Sequence, residues 1–180
     1  VADAITGLAG TGIAGGGALV NLSGSNTVSG NVTLTAASTI STASGSSLTI
    51  SGNLSGSAQA LTKTGAGTLT LSGSTNKTGL TGGITISTGT LSVGSNSALA
   101  AGTVTLNGGT LSLTATATYD NDVALSTDGG TIDVGSGLTA TLDHTVSGTT
   151  TLTKTGTGTL ALSSTGNSAT AWNATVGAGT

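Results

Sequence analysis

Short stretches in which aliphatic and small polar residues alternate recur along the chain. Five of them have the form Gly-Thr-aliphatic-x-aliphatic, with successive glycines 22, 20, 21 and 28 residues apart. These glycines are Gly67, Gly89, Gly109, Gly130 and Gly158. Because side chains alternate between the two faces of a strand, each stretch predicts a β-strand with one apolar face. Gly, Ser and Thr dominate the remaining windows and no apolar stripe of helical spacing lasts two turns, so an essentially all-β chain is predicted.

The near-constant interval between these strands predicts a repeat architecture. An interval near 21 residues with two or three short strands per repeat is typical of one coil of a parallel β-solenoid. We therefore predict a parallel β-helix of about 20–22 residues per coil, formed by residues 1–180 as one continuous segment. Aliphatic side chains would stack inside it as two ladders. The first ladder is predicted to contain Leu69, Leu91, Leu111, Ile132 and Leu160, and the second Leu71, Val93, Leu113, Val134 and Leu162.

An antiparallel sandwich or barrel is the alternative all-β architecture. Asn107-Gly108 and Asp128-Gly129 have the composition of hairpin turns. A sandwich, however, does not require one motif to recur at one phase, so the spacing favours the solenoid.

The chain is unusually poor in charged and aromatic residues. Charged residues make up 5% of it, against roughly 25% in an average globular domain. Three lysines, six aspartates, one Trp and one Tyr leave little with which to neutralise phosphates or stack on bases, which argues against nucleic-acid binding. The absence of cysteine excludes disulfides and thiolate metal ligands. The chain contains no run of 18 apolar residues, so no transmembrane helix is predicted.

The few chemically active residues do not form a recognisable site. His144 follows Asp143, but adjacent strand residues point to opposite faces, and no Gly-x-Ser-x-Gly motif is present. Asp120, Asp122 and Asp128 form an acidic concentration that could bind calcium, yet its spacing matches neither the EF-hand nor the nonapeptide calcium repeat. We predict a non-enzymatic protein and assign no catalytic, cofactor-binding or metal-binding residue.

A longer repeat is also present. Residues 61–72 and 152–163 agree at ten of twelve positions and lie 91 residues apart. Their shared pattern, Leu-Thr-Lys-Thr-Gly-x-Gly-Thr-Leu-x-Leu-Ser, resembles the autotransporter-associated β-strand repeat, as do the turn that follows the first copy and the strand at Gly89–Val93. The chain departs from that family after Asn76, where Lys77 and Thr78 stand in place of an aromatic residue.

The resemblance implies a right-handed β-helix in the passenger region of a bacterial surface or autotransporter protein. The expected location is extracellular, at the bacterial cell surface, and the expected role is a stalk, fibre, adhesion or biofilm scaffold. Gly179-Thr180 stops where the motif would continue with an aliphatic residue, and no capping helix is predicted at either end. We therefore expect units joined end to end, either as covalent tandem repeats or as a homopolymer.

Two other functions stay open at this stage. The side of the rod could act as an adhesin for carbohydrate or a host receptor, although it would have few aromatic residues with which to bind sugars. An outward column predicted to contain Thr68, Thr90, Thr110, Thr131 and Thr159 could bind ice. Trp172 is expected in a turn, in contact with a neighbouring coil or chain, and Lys63 and Lys154 are predicted to be solvated turn residues.

Overall fold

The computed structural model describes residues 1–167 and 173–180. The described strands from the N-terminal half are β1 Ile5–Gly10, β2 Leu19–Asn21, β3 Ser25–Val28, β4 Val32–Thr42, β5 Ser47–Ile50, β6 Leu54–Ser55, β7 Leu61–Thr64, β8 Thr68–Leu71, β9 Ile84–Ile86 and β10 Thr90–Val93. Those that follow are β11 Val104–Leu106, β12 Thr110–Leu113, β13 Ala117–Tyr119, β14 Val123–Leu125, β15 Gly130–Val134, β16 Thr139–Leu142, β17 Val146–Gly148, β18 Thr151–Thr155, β19 Thr159–Leu162 and β20 Asn173–Val176. One helical turn, α1 Asn76–Gly79, and two 3-10 turns, Ile13–Gly15 and Asn96–Ala98, interrupt them.

These strands form a parallel β-solenoid of about 7 turns, which confirms the predicted fold class. The first sheet runs β1-β4-β7-β9-β11-β14-β17, with β2 and β6 also paired to β4. The second runs β3-β5-β8-β10-β12-β15-β18-β20, and the third β13-β16-β19. In the C-terminal coils the chain enters the first, second and third sheets in turn, so each coil crosses three faces.

The second sheet contains most of the predicted ladders. Leu69, Leu91, Leu111 and Ile132 stand side by side, as do their neighbours Leu71, Val93, Leu113 and Val134. All eight are at most 1% exposed. Small aliphatic side chains at every second position are what the narrow interior of a coil can bury, and the Thr, Ser and Asp residues between them face outward.

The last members predicted for both ladders are wrong. Leu160 pairs with Ala140, and Leu162 pairs with Leu142, so both lie in the third sheet. Ile132 is followed in the second sheet by Lys154. The interval of 28 residues that precedes the fifth motif exceeds one coil by about the length of one face. The motif has therefore moved from the second sheet to the third.

The same shift removes Thr159 from the predicted outward column. Thr131 is followed by Thr153, whereas Thr159 lies beside Thr139 in the third sheet. The outward column of the second sheet consists of Ser25, Ser47, Thr68, Thr90, Thr110, Thr131, Thr153 and Thr175.

Candidate functional site: the corners, ends and outer face of the rod

Lys63 and Lys154 are buried, so their prediction as solvated turn residues is wrong. Lys63 is 0% exposed and Lys154 is 4% exposed. Each points inward from a strand and extends to the corner where its coil turns to the next face. The ammonium group of Lys63 donates to the carbonyls of Thr64, Gly65 and Thr88 at 2.7, 2.7 and 3.2 Å. Burial lowers the pKa of Lys63 to about 8, so the group is still charged at neutral pH.

The second copy of the motif builds the same arrangement on another face. Lys154 Nζ donates to the carbonyls of Thr155, Gly156 and Ala178 at 2.6, 2.8 and 3.1 Å. The corner that follows Lys63 connects the first sheet to the second, whereas the corner that follows Lys154 connects the second sheet to the third. The local sequence of the corner, rather than the face on which it lies, therefore determines these contacts.

Asparagine side chains join neighbouring coils at other corners. Asn76 is fully buried, accepts from the backbone N–H of Leu54 at 2.6 Å and donates to the Ala98 carbonyl at 2.8 Å. Asn121 is also buried, and its amide donates to the carbonyls of Ala100 and Gly102. Neither Asn76 nor Asn121 was predicted to join coils. The 22-residue separation of Asn31 from Asn53, which equals one coil, is the signal that could have shown the stacking.

The two ends of the solenoid differ in chemistry. At the C-terminal end, a cavity of about 100 Å³ is lined by Leu152, Leu160, Leu162 and Val176 among others. Val176 is 59% exposed and Leu162 is 37% exposed. In the described part of the chain, β20 pairs on one side only, with β18. This end therefore presents apolar side chains and an edge of backbone donors and acceptors.

The first coil places one amide where later coils have an aliphatic side chain. Asn26 occupies the position before Leu48 in the first ladder, and its Nδ2 donates to Asn21 Oδ1 at 2.6 Å. Asn21 in turn donates to the carbonyls of Gly24 and Ser47. Apolar side chains are nevertheless exposed nearby, since Leu22 is 78% exposed and Val20 is 42% exposed.

The outer face of the second sheet is almost entirely hydroxylated. Beside the column that ends at Thr175 stands a second outward column. It consists of Thr27, Thr49, Thr70, Ser92, Ser112, Asp133 and Thr155. Asp133, its one charged member, accepts hydrogen bonds from Ser112 and Thr155 on either side. Apart from Asp133, the face is thus an uncharged array with two hydroxyl groups on most strands.

His144 forms a hydrogen bond with the aspartate that precedes it. His144 Nδ1 lies 2.9 Å from Asp143 Oδ1 in the turn between β16 and β17, so the expectation that these side chains face apart is wrong. Because neither residue is in a strand, the alternation rule does not apply. The hydrogen bond to Asp143 raises the pKa of His144. Within residues 1–167 and 173–180, no group of three or more Asp, Glu, His or Cys residues could hold a metal ion.

Trp172, expected to contact a neighbouring coil or chain, lies outside the described residues. None of the helical turns in the described ranges is long and apolar enough to cross a membrane.

No family model, curated protein or solved structure matches the chain.

Proposed function

We propose that the chain is a structural, non-enzymatic segment of an extracellular bacterial surface protein or filament, in which solenoid units are joined end to end. The observation that carries this proposal is the stacking of parallel coils, whose aliphatic ladders are buried along the axis. At the last described coil, β20 pairs only with β18 within the described residues, and Val176 and Leu162 are exposed. A further coil, from the same chain or from another, would bury these side chains in the same way as the internal coils bury theirs.

The outer wall supports the same role. Its side chains are mostly Ser and Thr, and the buried aliphatic ladders run along the axis instead of forming a central core. A rod built in this way gains length without adding charged or reactive groups. The resemblance of residues 61–73 and 152–163 to the autotransporter-associated repeat supports the extracellular location.

The experiment is a comparison of assembly in solution. Sedimentation velocity at increasing concentration and negative-stain electron microscopy would be applied to the wild-type chain and to Val176→Asp. We expect the wild type to form rods whose lengths are multiples of one unit, and Val176→Asp to stay monomeric because a charge would be buried at the junction. Thr175→Asp is the matched control, since Thr175 lies in the outward column of the same strand.

A variant at the opposite end tests whether the joining is head to tail. Leu22→Asp should weaken association if the N-terminal coil meets the C-terminal end of the next unit. A strictly monomeric wild-type chain, or association that Val176→Asp leaves unchanged, would contradict end-to-end joining of separate chains. Protease treatment of intact source cells, followed by detection of this chain, tests the surface location.

The hydroxyl array favours ice binding as a second candidate function. With strands about 4.8 Å apart, its eight strands span roughly 34 Å. Methyl and hydroxyl groups at such a regular spacing can order water. Thr110→Tyr in the array should abolish inhibition of ice recrystallisation, whereas Thr105→Tyr on the outside of the first sheet should not. Wild-type protein without such inhibition would exclude this function.

A further inference from the structure

The two buried lysines lie in ladders that are otherwise mostly aliphatic. Lys63 stands between Ile40 and Ile86 in the first sheet, and Lys154 stands between Ile132 and Val176 in the second. An ammonium group withdrawn from water is costly unless its donors are satisfied. An aliphatic residue would avoid this cost, so the lysines call for a specific explanation.

Each ammonium group meets as many acceptors as it has N–H groups. Three carbonyl oxygens lie within 3.2 Å of Lys63 Nζ and three within 3.1 Å of Lys154 Nζ. In both cases two carbonyls belong to the corner that directly follows the lysine. The third comes from the corner of the next coil, from Thr88 for Lys63 and from Ala178 for Lys154.

The residue after each distant carbonyl explains how the corners can stack so closely. Gly89 and Gly179 have φ of +69° and +72°. A Cβ at Gly89 would lie 2.3 Å from Gly65 O and 2.9 Å from Lys63 Nζ, and one at Gly179 would lie 2.3 Å from Gly158 O. Because glycine has no Cβ, the corner of the following coil can pack directly against the corner of the preceding one. The carbonyl of Thr88 or Ala178 then lies within hydrogen-bond distance of the ammonium group.

We propose that Lys63 and Lys154 are cationic clamps, each of which holds the corner of the following coil against its own through a three-carbonyl cage. The clamp deepens the proposed structural role and rests on it. Its effect is local to one pair of coils, because among the described residues each ammonium group donates only to its own corner and to that of the next coil. The test therefore needs a local readout that end-to-end assembly does not change.

Amide hydrogen exchange of the wild type and Lys63→Met at pH 7 provides that readout. Methionine retains a long side chain in the ladder but offers no donor. Replacing a buried charge by an apolar group can leave overall stability unchanged, so a change in melting temperature alone would not be decisive. We expect the amides of Ser87 and Thr90, which donate to Lys63 O and Gly67 O, to exchange about tenfold faster, the factor for losing roughly one charge-assisted hydrogen bond.

The matched control is Ile86→Met, which introduces the same side chain at the next position of the ladder. In Ile86→Met, the amides of Ser87 and Thr90 should exchange at close to the wild-type rate. In Lys63→Met, the amide of Gly177 should also exchange at close to the wild-type rate. Lys154→Met should reverse the pattern, with faster exchange at Gly177, which donates to Lys154 O. Equal exchange at the corner in wild type and Lys63→Met would overturn the clamp.

Chemical rescue separates charge from packing. Lys63→Ala removes the equivalent of an n-propylammonium ion, whose amine would occupy the cage. Added propylammonium should raise the melting temperature of Lys63→Ala but not of the wild type, and 1-propanol at the same concentration should not. Equal rescue by both compounds would show that only the stem matters. If Lys63→Ala does not fold, the Lys63→Met exchange experiment decides by itself. All these variants retain Val176, so loss of the clamp and loss of end-to-end joining give distinct results.

Discussion

Leu160 lies beside Ala140 in the third sheet, although its motif is the same as the one that places Leu111 beside Leu91 in the second. Leu160 is only partly buried, whereas Leu111 is 1% exposed. Equivalent leucines in one sequence motif therefore differ in how much apolar surface they bury, and this difference can be measured.

Leu111→Ala should cost about 2–5 kcal/mol of unfolding free energy, because it opens a cavity in a filled ladder. Leu160→Ala should cost clearly less, since its neighbours at the C-terminal end already face an open cavity. Urea denaturation followed by circular dichroism would measure both. Equal losses would mean that Leu160 is buried as deeply as Leu111, against the structure.

Gly65 and Gly137 separate backbone strain from coil contact. Both have positive φ, +74° and +72°. A Cβ at Gly65 would lie 2.3 Å from the Thr42 carbonyl of the preceding coil, while a Cβ at Gly137 would meet nothing within 4 Å.

Gly137→Ala should therefore cost only the strain of a left-handed residue, about 1–2 kcal/mol. Gly65→Ala should cost more, because the corners of two coils must also move apart. Thermal unfolding of the two variants side by side checks this order. A larger loss for Gly137→Ala would contradict the stacking of corners.

Asn76→Ala should destabilise the chain more than Asn31→Ala. The first substitution leaves a buried backbone N–H and a buried carbonyl without their amide partner, with an expected cost of about 1–3 kcal/mol for each unsatisfied group. Asn31 accepts one hydrogen bond, from the exposed N–H of Asn53, which water can replace. Denaturant midpoints give the comparison, and equal midpoints would argue against the buried role of Asn76.

His144 should titrate above its ordinary pKa of 6.5, because its ring is hydrogen-bonded to Asp143 and lies near Asp122 and Asp120. A raised pKa in the folded state means that the contribution to stability is complete below pH 6.5 and is lost as the pH rises through the folded pKa. An NMR titration of the imidazole checks the shift. Asp143→Asn should move the pKa back toward 6.5, and no movement would assign the shift to another group.

The strands were predictable because the alternation of apolar and polar residues is a local property of the sequence. The inward positions of Leu69, Leu91, Leu111 and Ile132 follow from it directly. The position of Leu160 was not, since it depends on where the chain turns from one face to the next between Val134 and Thr159. The burial of Lys63 was also beyond local reasoning. Its cage needs the carbonyl of Thr88, which comes within reach only when two corners 25 residues apart in sequence stack. Asn76 was missed for the same reason.

The two clamped corners lie four coils and one face apart, since the first sheet passes from β7 through β9, β11 and β14 to β17 before Lys154 appears on β18 in the second. A third copy at the same 91-residue interval would fall on the third face. An array of such copies would place its repeated corners along a helical path around the solenoid axis. Molecules that approach from different sides would then contact the same kind of corner, at different positions along the axis.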